Sequence, residues 1–415
     1  MALPSCFNSW RVWLKPLAVI VYILLLCISV PLCIWELHNR RARTHTQACF
    51  IGAIFMFFTI GFAIAGIIQH LLNYTKPHLQ KYILRILWMV PIYSVTSWLA
   101  LRFPEAAIYL DSVRECYEAF VILSFLAYLL SYLHAEHEDF ERVMESKPQV
   151  HHLFPICCLP DWKMGREFIE NCKHGVMSYT VVRIATTFVA FVTELSGHYN
   201  EGDFDFKSAW SYVVIITNFS QMWALYCLVI FYKATRKELQ PIKPFGKFLC
   251  IKMVVFATFW QAALIGILVK AEVISSVKTW EFHDVEDVST GIQNFCVCVE
   301  MFIAAVAHYY VFSHTPFVDP DAPSYPCWAS FRSMIDMSDV REDMTEHVLV
   351  VGRSVKDTVL RTIPRKANES ERRRLLDDNN TGNTIPVIND MHAVDRTTTT
   401  DFSCQTENGL EDDNR

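Results

Sequence analysis

Ionisable and amide side chains stand inside several long apolar runs of this chain, where they could bind a polar group. Arg183 lies in one run, Gln261 in another, and Asn294 and Glu300 in a third. A charge at the centre of an apolar helix costs roughly 2.5–3.5 kcal/mol, so such a group is expected to face a partner or a polar cavity. We predict that these four side chains line a solute pathway, with Arg183 paired to Glu300 across two helices.

The chemistry of this predicted pathway depends on what its groups bind. Arg183 would suit an amphipathic anion, whose hydrocarbon body would contact the apolar walls. Gln261 and Asn294 would supply neutral hydrogen bonds. In the alternative interpretation, the same polar groups satisfy one another and only hold the helices together. The sequence leaves both interpretations open.

The chain has no motif that indicates an enzyme. We find no phosphate-binding Walker A loop, no dinucleotide-binding glycine motif and no serine nucleophile elbow. His134 and His137 are three residues apart, whereas the HExxH zinc-protease motif places its histidines four apart. Cysteines and histidines in residues 135–175 lack zinc-finger spacing. We therefore predict no catalytic residues, no cofactor and no metal site.

Two short motifs suggest covalent modification. Cys157 and Cys158 are adjacent in a hydrophilic segment next to an apolar run, which is typical of S-palmitoylation sites. Asn73 begins an Asn-Tyr-Thr glycosylation sequon. We predict a lipoprotein acylated at the cysteine pair, with unmodified cysteines as the alternative. Asn73 is the predicted glycosylation site, on a loop expected to lie outside, but it is so close to the membrane surface that the transferase would reach it with difficulty.

A third motif lies in the C-terminal tail. Glu371 is followed by three arginines and then by Leu375 and Leu376, which has the form of an acidic dileucine sorting signal. We predict that sorting adaptors bind it and that it directs protein to endosomes or lysosomes. The alternative is that two leucines follow a basic run by chance.

Eight apolar runs must position the polar groups of the predicted pathway. Each is about long enough to cross a ~30 Å hydrocarbon core. They cover residues 17–35, 49–72, 83–102, 113–133, 176–195, 209–232, 248–269 and 292–312. We therefore predict an all-α, polytopic membrane helix bundle.

Loop charge predicts how many of these runs cross a membrane. Residues 40–43 and 233–247 are basic, whereas residues 194–205 and 272–287 are acidic. Lys and Arg accumulate on the cytoplasmic side. Placing both basic segments inside requires an odd number of crossings within residues 83–133, although two runs lie there.

One of those two runs is therefore expected to be broken or partly inserted. The first contains Pro91, and the second carries four charges in its first turns. We predict seven transmembrane helices, an outside N-terminus, and a cytoplasmic C-terminus and 135–175 loop. Eight full crossings are the alternative and would move one terminus.

Composition divides the chain into parts. Its 415 residues are 52% hydrophobic with a formal net charge of −6. The chain has no strongly basic domain, so we do not expect it to bind nucleic acid. We predict a helix bundle in residues 1–315 and a cytoplasmic juxtamembrane segment in 316–365, with an amphipathic helix near 338–360. Residues 366–415 are predicted to be a disordered, acidic tail, because they are too polar to form a core.

Several short motifs together resemble the transmembrane protein 184 family, which is similar to the organic solute transporter alpha subunit. They are Met89-Val90-Pro91-Ile92-Tyr93, Glu115-Cys116-Tyr117-Glu118-Ala119-Phe120, Gln293-Asn294, Glu300-Met301-Phe302 and Ala307-His308. The resemblance covers residues 17–317. It implies a seven-helix fold, facilitated diffusion of bile acids and steroid conjugates, and a single-pass beta subunit. Arg183, Gln261, Asn294 and Glu300 match positions of the transporter branch of this family, and the resemblance therefore implies that they belong to the solute pathway.

Together these observations predict an ATP-independent transporter of organic solutes or lipid-like amphipathic molecules. The alternative from another class is a non-transporting receptor or trafficking scaffold. Expected partners are membrane lipids, a single-pass subunit or a second copy of the chain, and sorting adaptors. The expected location is the endosome or lysosome, or the plasma membrane.

Overall fold

The protein is a bundle of long α-helices. The computed structural model describes residues 10–39, 44–153, 160–196, 209–271, 285–319, 330–333 and 336–362, and these contain no β-strand. The helices are α1 (Trp10–Asn39), α2 (Thr44–Leu72), α3 (Pro77–Leu87), α4 (Met89–Arg102), α5 (Ala107–Glu136), α6 (Phe140–Glu145), α7 (Arg166–Leu195), α8 (Ala209–Thr235), α9 (Pro244–Lys270), α10 (Val285–Val311) and α11 (Ser338–Thr362).

The predicted all-α polytopic bundle is confirmed. Within the described residues, eight helical segments are long and apolar enough to span a membrane. One of these segments consists of α3 and α4 together, and the others are α1, α2, α5, α7, α8, α9 and α10. Their correspondence with the eight apolar runs follows from the length that an apolar helix needs to cross a bilayer.

The α3–α4 segment is interrupted near the proline that the sequence singled out. Pro91 has no N–H to donate to the carbonyl of Leu87, four residues earlier, so the helix is weakened one turn before the proline. Trp88 separates the two helices but keeps right-handed helical dihedrals, with φ −66° and ψ −17°. The chain therefore continues in the same direction through the interruption.

The core lies where α3, α4 and α5 pack together and against α7 and α8. Leu84, Met89, Leu126, Tyr179 and Phe231 are fully buried there. By contrast, most described side chains of α1 are exposed, as expected for an apolar helix that contacts lipid. The Tyr22 hydroxyl on α1 donates to the Phe57 carbonyl on α2 at 3.1 Å, which attaches α1 to the bundle.

Contacts between helix termini define two ends of the bundle. At one end, which we call the basic end, His70 contacts the Phe312 carbonyl at 2.8 Å and Thr75 donates to the Phe317 carbonyl. Lys147 pairs with Glu238 at 2.6 Å at the same end, beside the 233–247 segment.

The opposite end, which we call the acidic end, joins other termini. His45 at the start of α2 contacts the carbonyl of Leu101 at the end of α4 at 2.9 Å. The rings of Tyr109 on α5 and Phe191 on α7 are 5.8 Å apart. Helices α7 and α9 run towards this end, and in the sequence they lead into the acidic segments 194–205 and 272–287.

The helix directions correct the argument from loop charge. The α3–α4 segment runs from the basic to the acidic end, and α5 returns, so residues 83–133 hold two traverses rather than an odd number. Consequently α2 begins at the end opposite to the 233–247 segment. Residues 40–43, which precede α2, lie outside the described residues, so the side on which they lie stays a prediction. The number of helices that cross stays a prediction.

The C-terminal helix α11 occurs where the sequence predicts an amphipathic helix. The chain divides into two compact units, residues 1–347 and 348–415, so the boundary falls within α11. In the first unit, Val340 and His347 are buried and Met344 packs against the core. The predicted boundaries at residues 315 and 365 stay predictions.

Candidate functional site

Helix α5 places four charged side chains on one face. Asp111, Arg114, Glu115 and Glu118 are separated by three, four and seven residues from the first, and an α-helix brings such positions onto one side. All four lie inside the α5 membrane-spanning segment. Each has a described partner from α5 itself or from a neighbouring helix.

Glu118 is at the centre of this arrangement. Its Oε1 accepts from Lys252 Nζ on α9 and from Gln221 Nε2 on α8, both at 3.0 Å. Its Oε2 accepts from the Tyr93 hydroxyl on α4 at 3.4 Å. The Glu118 side chain is 7% exposed, and these added hydrogen bonds are what a buried ion pair needs.

Arg114 links α5 to two other helices. It pairs with Asp111 at 2.7 Å and donates to the Ser97 hydroxyl on α4 at 2.9 Å. A longer contact of 3.5 Å reaches the Asn294 Oδ1 on α10. The guanidinium also lies 5.7 Å from the centre of the Tyr93 ring, within the range of a cation–π interaction.

Arg183 on α7 pairs with Glu115 on α5, with a distance of 3.2 Å between Nη1 and Oε2. The expected pairing of Arg183 with Glu300 is therefore wrong. Helix α7 packs mainly against α5 and α8, whereas α10, which carries Glu300, packs mainly against α2, α4 and α9. Arg183 thus finds its carboxylate on an adjacent helix.

The other predicted pathway residues lie on α9 and α10. Gln261 donates from Nε2 to the Gln293 carbonyl at 3.0 Å. Among the described residues, neither Gln261 Oε1 nor Glu300 Oε2 has a hydrogen-bond partner, although both atoms are buried. The structure thus brings Asn294 to Arg114, leaves Arg183 with Glu115, and does not join Glu300 to either pair.

Three carboxylates and three cations form what we call the polar site: Asp111, Glu115, Glu118, Arg114, Arg183 and Lys252. Formal charge within it is balanced. Sequence reasoning missed Glu118 as its centre, because it treated the charges of α5 as a cost rather than as partners. The signal was available in the spacing of the four α5 charges and in the opposite charges of Arg183 and Lys252.

The predicted modification sites have different outcomes. Cys157, Cys158, Glu371, Leu375 and Leu376 lie outside the described residues, so acylation and sorting stay predictions. Asn73 is described at the basic end, where its side chain donates to the Gln69 carbonyl at 2.9 Å. It therefore shares an end with the flanks of the loop predicted to be cytoplasmic, whereas loop charge places the two on opposite sides; glycosylation at Asn73 stays a prediction.

Comparisons with known proteins match most of the bundle. A model of the family "Organic solute transporter Ostalpha" matches residues 48–317, which include the whole polar site. Protein LAZ1 homolog 1 of Arabidopsis thaliana is 34% identical over 282 residues, or 64% of this chain and 57% of that protein. Protein LAZ1 homolog 2 of the same plant is 35% identical over 288 residues, or 66% of this chain and 69% of that protein.

The alignment thus spans less than two thirds of the first of these relatives. No solved structure matches the chain. The match confirms the resemblance that the short motifs indicated, and seven of the eight membrane-spanning segments fall essentially within the matched region. The chain belongs to the organic solute transporter Ostalpha family.

Proposed function

We propose that this protein is an ATP-independent membrane transporter of organic solutes or lipid-like amphipathic molecules, and that its polar site binds them. The observation that carries this proposal is the charge-balanced polar site inside an apolar bundle of the Ostalpha family. The same observation favours transport over a scaffold, because a membrane anchor needs no ionisable groups between its helices.

Stability alone does not account for three ion pairs within the membrane-spanning segments. Burying two charges carries a desolvation penalty that their attraction often fails to exceed, so apolar side chains of similar size can be equally stable. Ionisable groups within membrane segments more commonly mark pathways for solutes or ions. We therefore interpret the polar site as a binding site.

Exposure within the polar site indicates where a solute would enter. The side chain of Glu115 is 46% exposed, whereas that of its partner Arg183 is 12% exposed. A carboxylate facing lipid would be costly, so we propose that Glu115 faces a polar cleft. An anionic solute in this cleft would replace Glu115 as the partner of Arg183, and the cation would stay paired.

The remaining predicted residues would bind other parts of the solute. Gln261 Oε1 and Glu300 Oε2 are buried acceptors without a described partner, so each could accept a hydrogen bond from a solute hydroxyl. Asn294 would act through Arg114, which it contacts. This arrangement keeps Arg183, Gln261, Asn294 and Glu300 as the proposed pathway and assigns anion binding to Arg183.

We propose that the basic end faces the cytoplasm of an endosomal, lysosomal or plasma membrane. Lys233, Arg236, Lys237 and Lys243 are exposed at this end, which fits the cytoplasmic excess of Lys and Arg. Membrane lipids surround the bundle in this proposal, and a single-pass subunit or a second copy of the chain could associate with it.

Uptake of a radiolabelled steroid sulfate by proteoliposomes tests the proposal. The informative variant is Arg183→Gln with Glu115→Gln, because it neutralises the pair and leaves no unpaired charge. We expect uptake per inserted molecule to fall about tenfold or more, since a hydrogen bond to a charged group contributes roughly 1.5–3 kcal/mol.

The matched control is Arg166→Gln with Glu170→Gln, which removes an exposed ion pair from the same helix, α7. It should leave uptake unchanged. If the polar site only holds the helices together, the Arg183–Glu115 double variant would lower thermal stability without changing uptake per molecule. That result would favour the scaffold.

A further inference from the structure

Residues 336–347, which we call the clasp, dock on the basic end of the bundle. Asp339 accepts from both terminal nitrogens of Arg85 on α3, at 2.9 and 3.2 Å. Lys81 pairs with the same carboxylate at 3.1 Å, and the Tyr82 hydroxyl donates to it at 3.1 Å. Arg85 also donates to the Asp336 carbonyl. One clasp carboxylate thus pairs with two cations of α3.

The clasp also contacts α7. Asp343 pairs with Lys173 at 2.7 Å, and Nδ1 of His347 lies 3.0 Å from Nδ1 of His174. Asp339, Asp343 and His347 are four residues apart, so they occupy one face of α11. That face binds α3 at its first turn and α7 at its second and third.

Arg85 connects the clasp to the helix that carries the polar site. Its side chain is 2% exposed, and its guanidinium lies 5.7 Å from the Phe120 ring centre on α5. The Tyr117 hydroxyl on α5 donates to the Arg85 carbonyl at 2.7 Å. Tyr117 and Phe120 flank Glu118 in the sequence, so Arg85 contacts the turn of α5 that holds the centre of the polar site.

Release of the clasp would leave a buried cation without its carboxylate. A buried charge that loses its partner is strongly unfavourable, so Arg85 would have to reach water or another acceptor. We expect either change to shift α3 relative to α5, because the guanidinium and the carbonyl of Arg85 both contact α5. A docked clasp therefore favours the arrangement of α3 and α5 seen here, and a released clasp favours others.

We infer that the clasp is an internal regulator of the polar site, which restrains α5 through Arg85 while it is docked and permits faster solute exchange when it is released. This inference rests on the proposed function, because it names the regulation of the same site. It assigns a role to the juxtamembrane segment that transport by the bundle alone does not require.

Asp339→Asn tests the inference in the full-length protein reconstituted in lipid, because it removes the charge that binds Arg85 and Lys81. Glu342→Gln is the matched control, since it removes an exposed carboxylate from the same helix. Hydrogen exchange of residues 338–347 reports docking. Alkylation of Cys116, which contacts Thr187 between α5 and α7, reports the polar site without requiring transport. Exposed Cys27 on α1 is the internal reference.

We expect Asp339→Asn to accelerate hydrogen exchange in the clasp, raise the ratio of Cys116 to Cys27 alkylation, and raise steroid sulfate uptake about fivefold or more, the lower range of regulatory couplings. Glu342→Gln should change none of these. The inference would be overturned if clasp exchange became faster while Cys116 alkylation stayed unchanged. It would also be overturned if the wild type transports steroid sulfate and uptake by the Asp339→Asn variant is unchanged or reduced.

A second pair of variants separates regulation from misfolding. Lys173→Asp and Asp343→Lys should each release the clasp, and together they should restore docking and wild-type Cys116 alkylation. Failure of the combined variant to restore either would also overturn the inference. If the wild type transports nothing while Cys116 still responds to clasp release, the proposed function fails and the coupling stands.

Discussion

At the level of residues, Glu118 has the most extensively bonded carboxylate in the polar site. It accepts hydrogen bonds from Tyr93, Gln221 and Lys252, which lie on three different helices. Such a group fixes the relative positions of those helices. It also makes the protein sensitive to any change that leaves either charge of the Glu118–Lys252 pair alone.

Lys252→Met should destabilise the protein by about 3–5 kcal/mol, because it leaves Glu118 charged and buried without a cation. Adding Glu118→Gln should recover much of this loss, since the amide stays an acceptor for Tyr93 and carries no charge. Thermal unfolding of the single and double variants in detergent measures the effect. Exposed Lys233→Met is the control. Equal unfolding temperatures for the single and double variants would contradict a buried ion pair.

Some of the polar site could be predicted from the sequence, and some could not. Arg183 and Asn294 stood out because a charge or an amide inside an apolar run is unusual. The partner of Arg183 could not be predicted, since it depends on which helices are neighbours. The charges of α5 were interpreted as evidence against full insertion, because the free-energy cost of insertion was taken for unpaired charges. In the structure, Glu115 pairs with Arg183 on α7 and Glu118 pairs with Lys252 on α9.

At the level of elements, the close approach of α7 and α8 depends on Gly175. A Cβ at this position would lie 2.2 Å from the Sγ of Cys227, which is fully buried on α8. Small residues allow helix backbones to approach in this way. The two helices share one of the most extensive contacts in the bundle.

Gly175→Ala should therefore destabilise the protein by about 1–3 kcal/mol, the usual cost of overpacking. Adding Cys227→Ala should restore part of the stability, because it removes the closest clashing atom. Gly246→Ala is the control, since a Cβ there meets no heavy atom within 4 Å. Thermal unfolding compares the three variants. A Gly175→Ala protein as stable as the wild type would disprove the close packing.

The clasp should loosen as pH falls. Burial, and then the neighbouring His174, lower the pKa of His347 below its usual range, so the docked clasp favours the neutral imidazole. Docking is therefore strongest above the pKa of a free histidine, about 6.5, and weakens as pH falls through and below it. Lys173 and Asp343, which form an ion pair at 2.7 Å, also face this contact.

Asp339 should not contribute to this transition. Burial alone would raise the pKa of Asp339, but hydrogen bonds and charges from Arg85 and Lys81 outweigh it and lower the pKa well below the usual range. Hydrogen exchange of residues 338–347, corrected for intrinsic rates, should be faster at pH 5 than at pH 7.5. His347→Asn should remove most of the difference. An equal pH dependence in that variant would assign the effect to another group.

Helix positions were more predictable than helix directions. Apolar length located the spanning segments, and Pro91 correctly indicated that the 83–102 run is interrupted. The inference that an interrupted run does not traverse the bundle failed, because Trp88 keeps helical dihedrals and the chain continues to Arg102. A helix can lose one backbone hydrogen bond and keep its direction.

At the level of the whole molecule, loop charge and helix direction agree over most of the chain. The 233–247 segment is at the basic end, and the acidic segments 194–205 and 272–287 follow in the sequence on α7 and α9, which run towards the other end. The basic residues 40–43 lie outside the described residues, but α2, which follows them, begins at the acidic end. The side of residues 40–43 therefore stays a prediction, and it concerns α1, which precedes the family match.

This orientation makes a prediction about glycosylation. Asn73 lies at the basic end, so the protein should carry no glycan there, and glycosidase treatment should leave its mass unchanged. Gly202→Ser creates a sequon at Asn200, which in the sequence follows α7, a helix that runs towards the acidic end. We expect glycosidase-sensitive material in this variant. A glycan at Asn73 in the wild type would reverse the proposed orientation.

In the proposed function, the polar site moves an organic anion across the membrane without ATP. Counterflow measures such movement: proteoliposomes preloaded with unlabelled steroid sulfate are diluted into a trace of labelled solute. If the wild type is a carrier, the label should accumulate transiently inside the vesicles above its equilibrium level. The Arg183→Gln, Glu115→Gln double variant should not show this accumulation. Wild-type uptake no greater than that of protein-free vesicles, with no transient accumulation, would contradict the proposed function.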